Sequence, residues 1–216
     1  MLTVLTRKFE RNWEDYGLRA AVSKTLLYGL RIVYEQADYR LYRIDLARKA
    51  TEAPSGPYGV EFRFVGVNDN EVINEIEHNS EWLRDTVRER LAAGAVCLAA
   101  FEDGALAGFN LVSFGAVFMP LVHVSRTFRD DEAWSEQIAT VKTYRKKGLA
   151  SQLRLRMFEE LRRRGIRTFY GGARTDNGPS LGLARRVGFE EFVEIRYRRF
   201  LHYERRRYAR MRDARA

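Results

Sequence analysis

Residues 145–150 read R-K-K-G-L-A and stand between an apolar stretch (Ile138, Ala139, Val141) and a strongly helical run. The order of strand, basic glycine turn and helix constrains this chain more than any other feature. Such a turn aims several backbone N–H groups, and the positive end of a helix, at one point in space. A point of that kind holds a phosphate or pyrophosphate. Arg145, Lys146 and Lys147 add formal charge, and Gly148 lets an anion approach the backbone with no side chain in the way. Alone the pattern is weak, because a plain solvated turn before a helix has the same composition.

One further helix and strand separate this turn from N-G-P-S-L-G-L-A-R-R-V-G-F, residues 177–189. A basic glycine turn followed at this spacing by N-x-x-S, a short helix and G-F resembles the GNAT acyltransferases, a superfamily that uses acetyl-CoA. The resemblance spans roughly residues 60–200, and the two motifs together are far more specific than either alone. It implies a mixed α/β, α+β-like fold, with a mostly antiparallel twisted central sheet flanked by helices. The central strands would splay apart and hold the co-substrate in the gap. It further implies acetyl-CoA or another acyl-CoA as co-substrate, no metal, and direct transfer in a ternary complex. The acceptor would be a primary amine on a small molecule or a peptide.

Residue by residue, the resemblance assigns Arg145, Lys147, Gly148, Leu149, Ala150 and Ser151 to the pyrophosphate, largely through their amides, with Lys146 adding charge. Asn177 and Ser180 fall where the family touches the pantetheine arm or the 3′-end of CoA. Their purely structural alternative is an Asx turn and a helix cap, which D-N-G-P-S favours in any protein.

Amide formation from a thioester requires an amine to lose a proton, a carbonyl oxygen to be stabilised and a thiolate to leave. A splayed strand presents unpaired backbone N–H groups, and Ile138, Ala139 and Thr140 are the expected donors. Glu136, on the same strand, is the candidate general base; its alternative is a strand carboxylate paired with one of many arginines. Burial there would raise its pKa. Many family members carry a tyrosine in the helix after the asparagine as general acid, and this chain has Ala184 there. Tyr170, Tyr197 or a water would take that role, or the thiolate would leave unprotonated.

Composition narrows the rest. With 45% hydrophobic and 12% aromatic residues, the 216-residue chain can bury a full core. Its one cysteine, Cys97, precludes an internal disulfide, fits a reducing compartment and lies in an apolar run, as an inert thiol would. A formal charge of +9 favours anionic partners. The three histidines and lone cysteine show no metal-ligand spacing, and no serine stands in a nucleophile elbow. Without an apolar run of membrane-spanning length or a cleavage signal, the expected location is cytoplasmic.

Three segments are expected: an N-terminal amphipathic helix and extra strand over 1–50, the acyl-CoA-binding domain over 58–202 and a basic tail over 203–216. Leu18, Val22, Leu26, Leu30 and Val33 form the apolar stripe of the first. That helix either docks on the domain or lies on a membrane surface. Residues 51–58, with Pro54, Gly56 and Pro57, read as a loop between strands. Strands are expected over 39–46, 60–65, 95–101, 105–114, 133–141, 167–173 and 192–201. Helices are expected over 70–93 (broken near Asn79, with Asn79 or Ser80 capping the second part), 151–164 and 179–186. The arginine-rich stretch 205–215 reads as a solvated helix. A homodimer, an inactive CoA-binding sensor and a basic membrane- or nucleic-acid-associated module remain open on these grounds.

Overall fold

The computed structural model describes residues 34–48, 59–80, 82–119, 123–201 and 203–211, together with Leu18. The N-terminal amphipathic helix and the 51–58 loop therefore lie outside the described residues, apart from Leu18. Among the described residues ten strands form two sheets: β1 (Tyr34–Asp45), β2 (Val60–Val65), β3 (Val96–Glu102), β4 (Ala105–Ser113), β5 (Ala116–Met119), β6 (Val124–Thr127), β7 (Glu132–Thr140), β8 (Thr168–Arg174), β9 (Glu190–Phe200) and β10 (Tyr203–Arg210). Helices α1 (Asn70–Asn79), α2 (Val87–Ala92), α3 (Leu149–Arg163) and α4 (Gly178–Val187) connect them, with a 3₁₀ turn at Lys142–Tyr144. The large sheet runs β10-β9-β1-β8-β7-β4-β3-β2, and β5 and β6 form a separate hairpin. Every pair within the large sheet is antiparallel except β7 with β8.

That exception organises the molecule. β7 and β8 pair only through Glu132, Ala133 and Trp134 against Thr168, Phe169 and Tyr170. Beyond Trp134 each strand keeps its outer neighbour: β7 follows β4 as far as Thr140, and β8 follows β1 as far as Arg174. Residues 135–140 and 171–174 thus border a wedge with its closed end at Trp134 and Tyr170.

Two layers cover the sheet. Leu149, Leu153, Met157, Phe158 and Leu161 of α3 and Leu181, Ala184 and Val187 of α4 pack on one face, against Leu98, Ala107, Ala133 and Phe169. Val72, Ile73 and Ile76 of α1 and Val87 of α2 cover the other face over β3 and β4. Farther along that second face, Val117 and Met119 of the small hairpin pack with Trp134, Tyr170, Ile195 and Tyr197. Burial of these side chains is the main driving force for the layered arrangement. The Asp103-Gly104 pair closes the β3–β4 hairpin with both residues at positive φ (53° and 79°), as a tight two-residue turn with this twist demands.

The structure corrects two local expectations. As far as Arg210 the arginine-rich stretch is strand β10, not a helix: Leu201 turns at φ 53° and the chain pairs back on β9 from Tyr203 opposite Phe200. Ladder hydrogen bonds along β9 override the good helix propensity of arginine. β1 lies inside the sheet, between β9 and β8, and its alternating burial is that of a half-buried strand. Neither Asn79 nor Ser80 caps the second helix, since α2 starts only after Thr86. Asn79 ends α1 and Ser80 is its C-cap residue.

Candidate active site

The wedge opens at the end of β7 onto the basic glycine turn. Lys146 (φ 67°) and Gly148 (φ 78°) are both left-handed, which curls the backbone before α3. No side chain caps the N-terminus of α3. Ser151 and Gln152 donate their N–H groups to the Gly148 carbonyl, which leaves Leu149 and Ala150 among the first-turn amides that a helix cannot satisfy internally. An anion is the natural partner for such a set. Buried Leu149, 3% exposed, pins the turn to the core. Arg145 donates through Nε to the Thr140 carbonyl (3.1 Å), and Lys147 pairs with Glu102 at 3.2 Å, so these two cations already hold the turn itself.

Helix α4 differs at its start. Asn177 Oδ1 accepts from the Ser180 N–H (3.2 Å), and Pro179 lies in the first turn. Asn177 and Ser180 therefore form the helix cap, and both also line the cleft. The cleft has a volume of about 230 Å³, and its wall includes Tyr42, Ser135, Glu136, Ile138, Arg154 and Ala173.

Backbone direction along β7 follows from one contact. The Val141 N–H donates to Ala107 on the β4 side. By strand alternation the Ala139 amide faces β4 as well, whereas Ile138 and Thr140 turn their N–H groups to the wedge. Of the three expected donors, two face the gap.

A bulge aims the acidic side chain. Leu111 pairs with Gln137 and Val112 with Ser135, so Glu136 is the extra residue of β7. Glu136 and Gln137 consequently both point to the α1–α2 face. Gln137 Oε1 accepts from Ser80 Oγ (2.6 Å), and Glu136 forms an ion pair with Arg90 of α2. The Glu136 side chain is 3% exposed. Burial pushes its carboxyl above the ordinary 4.5, while Arg90 beside it and a hydrogen bond from Ser113 pull it partly back. Glu136 and Arg90 also border a second cavity of about 250 Å³, lined by Glu89, Ser113, Phe114, Val117 and Phe118. Glu136 and Arg90 thus line both cavities.

Two expected acids are elsewhere. Tyr170 packs on the small hairpin's side and donates to Glu132 Oε1 (3.0 Å), and Tyr197 donates to Glu204 Oε1 (2.9 Å). Neither lines the cleft. Trp134 and Tyr170 form the last pair before the strands part, and β8 alternation carries the Tyr170 ring to the far face. Ala184 is 4% exposed and belongs to the core under α4.

Sequence reasoning missed three residues of this site. Arg90 carries no motif. Tyr42 comes from β1, outside the paired motifs; its hydroxyl donates weakly to the Gly172 carbonyl (3.4 Å), and its ring occupies the space that any side chain at Gly171 would need. Arg154 lies on α3, where periodicity sets the arginines outward, yet it is 2% exposed. Cys97 is buried as expected, and burial pushes its thiol up to about 12, so it is no nucleophile. Among the described residues no group of acidic, histidine and cysteine side chains could hold a metal ion, and no helix is long and apolar enough to cross a membrane.

No curated protein matches the sequence. Solved structures do. A tandem GNAT protein from the clavulanic acid biosynthesis pathway, without AcCoA, matches with 21% identity and TM-score 0.56 over 82% of this chain and 54% of its own. A GCN5-related N-acetyltransferase from Sphaerobacter thermophilus matches with 20% identity and TM-score 0.56 over 85% and 58%. A GCN5-related N-acetyltransferase-like protein from Streptococcus suis 89/1591 matches with 17% identity and TM-score 0.55 over 83% and 68%. At these identities the likeness is one of fold, and this chain spans little more than half the length of the first two. The profile of the Acetyltransferase (GNAT) family matches residues 66–189, more than half of the 216. That stretch holds the parted β7 and β8, the uncapped turn before α3 and the capped start of α4. The chain belongs to the Acetyltransferase (GNAT) family.

Proposed function

We propose that the protein is an N-acyltransferase that moves an acyl group from acyl-CoA to a primary amine within a ternary complex. The observation that carries this reading is the wedge between β7 and β8, which has an uncapped helix start at its mouth. The CoA pyrophosphate would rest on the amides of residues 146–150, and the pantetheine arm would run past Asn177 and Ser180 into the gap. The Ile138 amide, turned to the gap, would hold the thioester carbonyl as it becomes anionic.

The acceptor amine would enter from the second cavity. Its apolar wall (Phe114, Val117, Phe118) suits a hydrophobic body, and Glu89 and Glu136 suit a cation. Glu136 would take the proton as nitrogen attacks; the C–N bond forms, the C–S bond breaks and CoA leaves as thiolate. Much of the acceleration would come from juxtaposition in the cleft.

Calorimetric titration with acetyl-CoA at physiological salt tests the reading. Saturable binding that Gly148→Glu abolishes, with thiol release on adding amines, is the expected result. A folded protein that binds no acyl-CoA would refute it. A CoA-binding protein without turnover is the second reading, favoured by Ala184 in place of a tyrosine; binding without thiol release from any class of amine would select it.

A further inference from the structure

Arg154 is out of place in its surroundings. It projects from α3 into the core at 2% exposure, and among the described residues no carboxylate lies within ion-pair distance of it. Its Nη1 donates to Ser135 Oγ (2.9 Å), and its guanidinium lies over the rings of Phe169 (5.2 Å) and Phe189 (5.7 Å). Burial lowers its pKa only to about 10, so it remains a cation at neutral pH. A desolvated charge without a counter-charge is strongly unfavourable, and ring faces offset only part of that.

Its location gives the missing partner a direction. Ser135 is the first residue of β7 beyond the last pair with β8, so Arg154 flanks the closed end of the wedge. Tyr42 flanks it too, with its hydroxyl toward the Gly172 carbonyl, and all three side chains line the cleft. The phosphate-binding turn is at the opposite, open end. A pantetheine arm entering there presents its acyl group toward Trp134 and Tyr170, with the chain pointing at Arg154. An acetyl group is short and offers that cation nothing. A chain ending in a carboxylate would supply a charge-assisted, bidentate partner, with Tyr42 and Ser135 as further hydroxyl donors.

We propose that the closed end of the cleft, built from Arg154, Ser135 and Tyr42, selects acyl-CoA esters of short dicarboxylic acids over plain alkanoyl esters. This rests on the acyl-CoA reading above and specifies its donor. The transfer keeps the same balance: the amide C–N bond forms, the thioester C–S bond breaks, Glu136 takes the amine's proton, and the distal carboxylate is a spectator.

The test is a calorimetric comparison of succinyl-CoA with butyryl-CoA, esters of equal carbon count, on the full-length protein. Succinyl-CoA should bind at least about tenfold tighter, and Arg154→Met should erase that difference. Equal or tighter binding of butyryl-CoA to the wild type would overturn the proposal while leaving the acyltransferase reading intact. Failure of both esters and of free CoA to bind would overturn both. The wild-type comparison decides the matter even if Arg154→Met does not fold.

Discussion

Single residues set the chemistry here through placement more than identity. Glu136 owes its direction to a bulge and its environment to Arg90 and Ser113. A carboxylate base works only when ionised, so under the proposed reading kcat/KM should fall as pH drops through a pKa raised above 4.5. Glu136→Gln should remove that acid limb and lower kcat by about 10²-fold or more, with little change in acyl-CoA affinity, as stopped-time thiol release across pH would show. The raised pKa also has a sign in stability. Because the folded value exceeds the unfolded one, the cost of burying the ionised carboxyl is full above the folded pKa and vanishes below the unfolded one. Gly171 and Ala184 act by what they lack: one admits the Tyr42 ring, and the other leaves the acid's usual position to the core.

At the scale of elements, the hairpin of β9 and β10 sets like charges against each other. Arg205 faces Arg198 and Arg207 faces Arg196 across the ladder, and like charges directly opposite destabilise a pair by roughly 0.2–1 kcal/mol each. Replacing Arg205 and Arg207 together by glutamate should raise Tm by roughly 2–4 °C in a low-salt melt, with a smaller gain at high salt. This hairpin is also where the sequence misleads, because arginine runs suit helices and nothing local reveals an open strand waiting alongside. By contrast, the Asp103-Gly104 turn, the α3 stripe from Leu149 to Leu161 and the Asn177 cap announce themselves through local chemistry. The glycine turn before α3 was legible for the same reason. Arg90, Tyr42 and Arg154 were not, since each reaches the site from an element whose position depends on the completed sheet. An inward arginine on a helix rich in outward ones leaves no periodic trace.

At the scale of the whole molecule, two half-sheets, β10-β9-β1-β8 and β7-β4-β3-β2, join through three residue pairs and the helices laid across them. A co-substrate in the wedge would touch both halves, so binding and folding are linked. Acyl-CoA at about a hundred times its Kd should stabilise the fold by ~2.7 kcal/mol and raise Tm by roughly 5–10 °C, measurable by calorimetry. The parted strands have one more consequence. Residues 135–140 and 171–174 are two raw sheet margins inside a single molecule, and raw margins recruit stray strands from neighbours. A narrow wedge admits a slender flexible thread and rejects a pleated ribbon with side chains on both faces. Shape is therefore the guard against self-assembly, and a thread lying in the wedge would cover both margins at once.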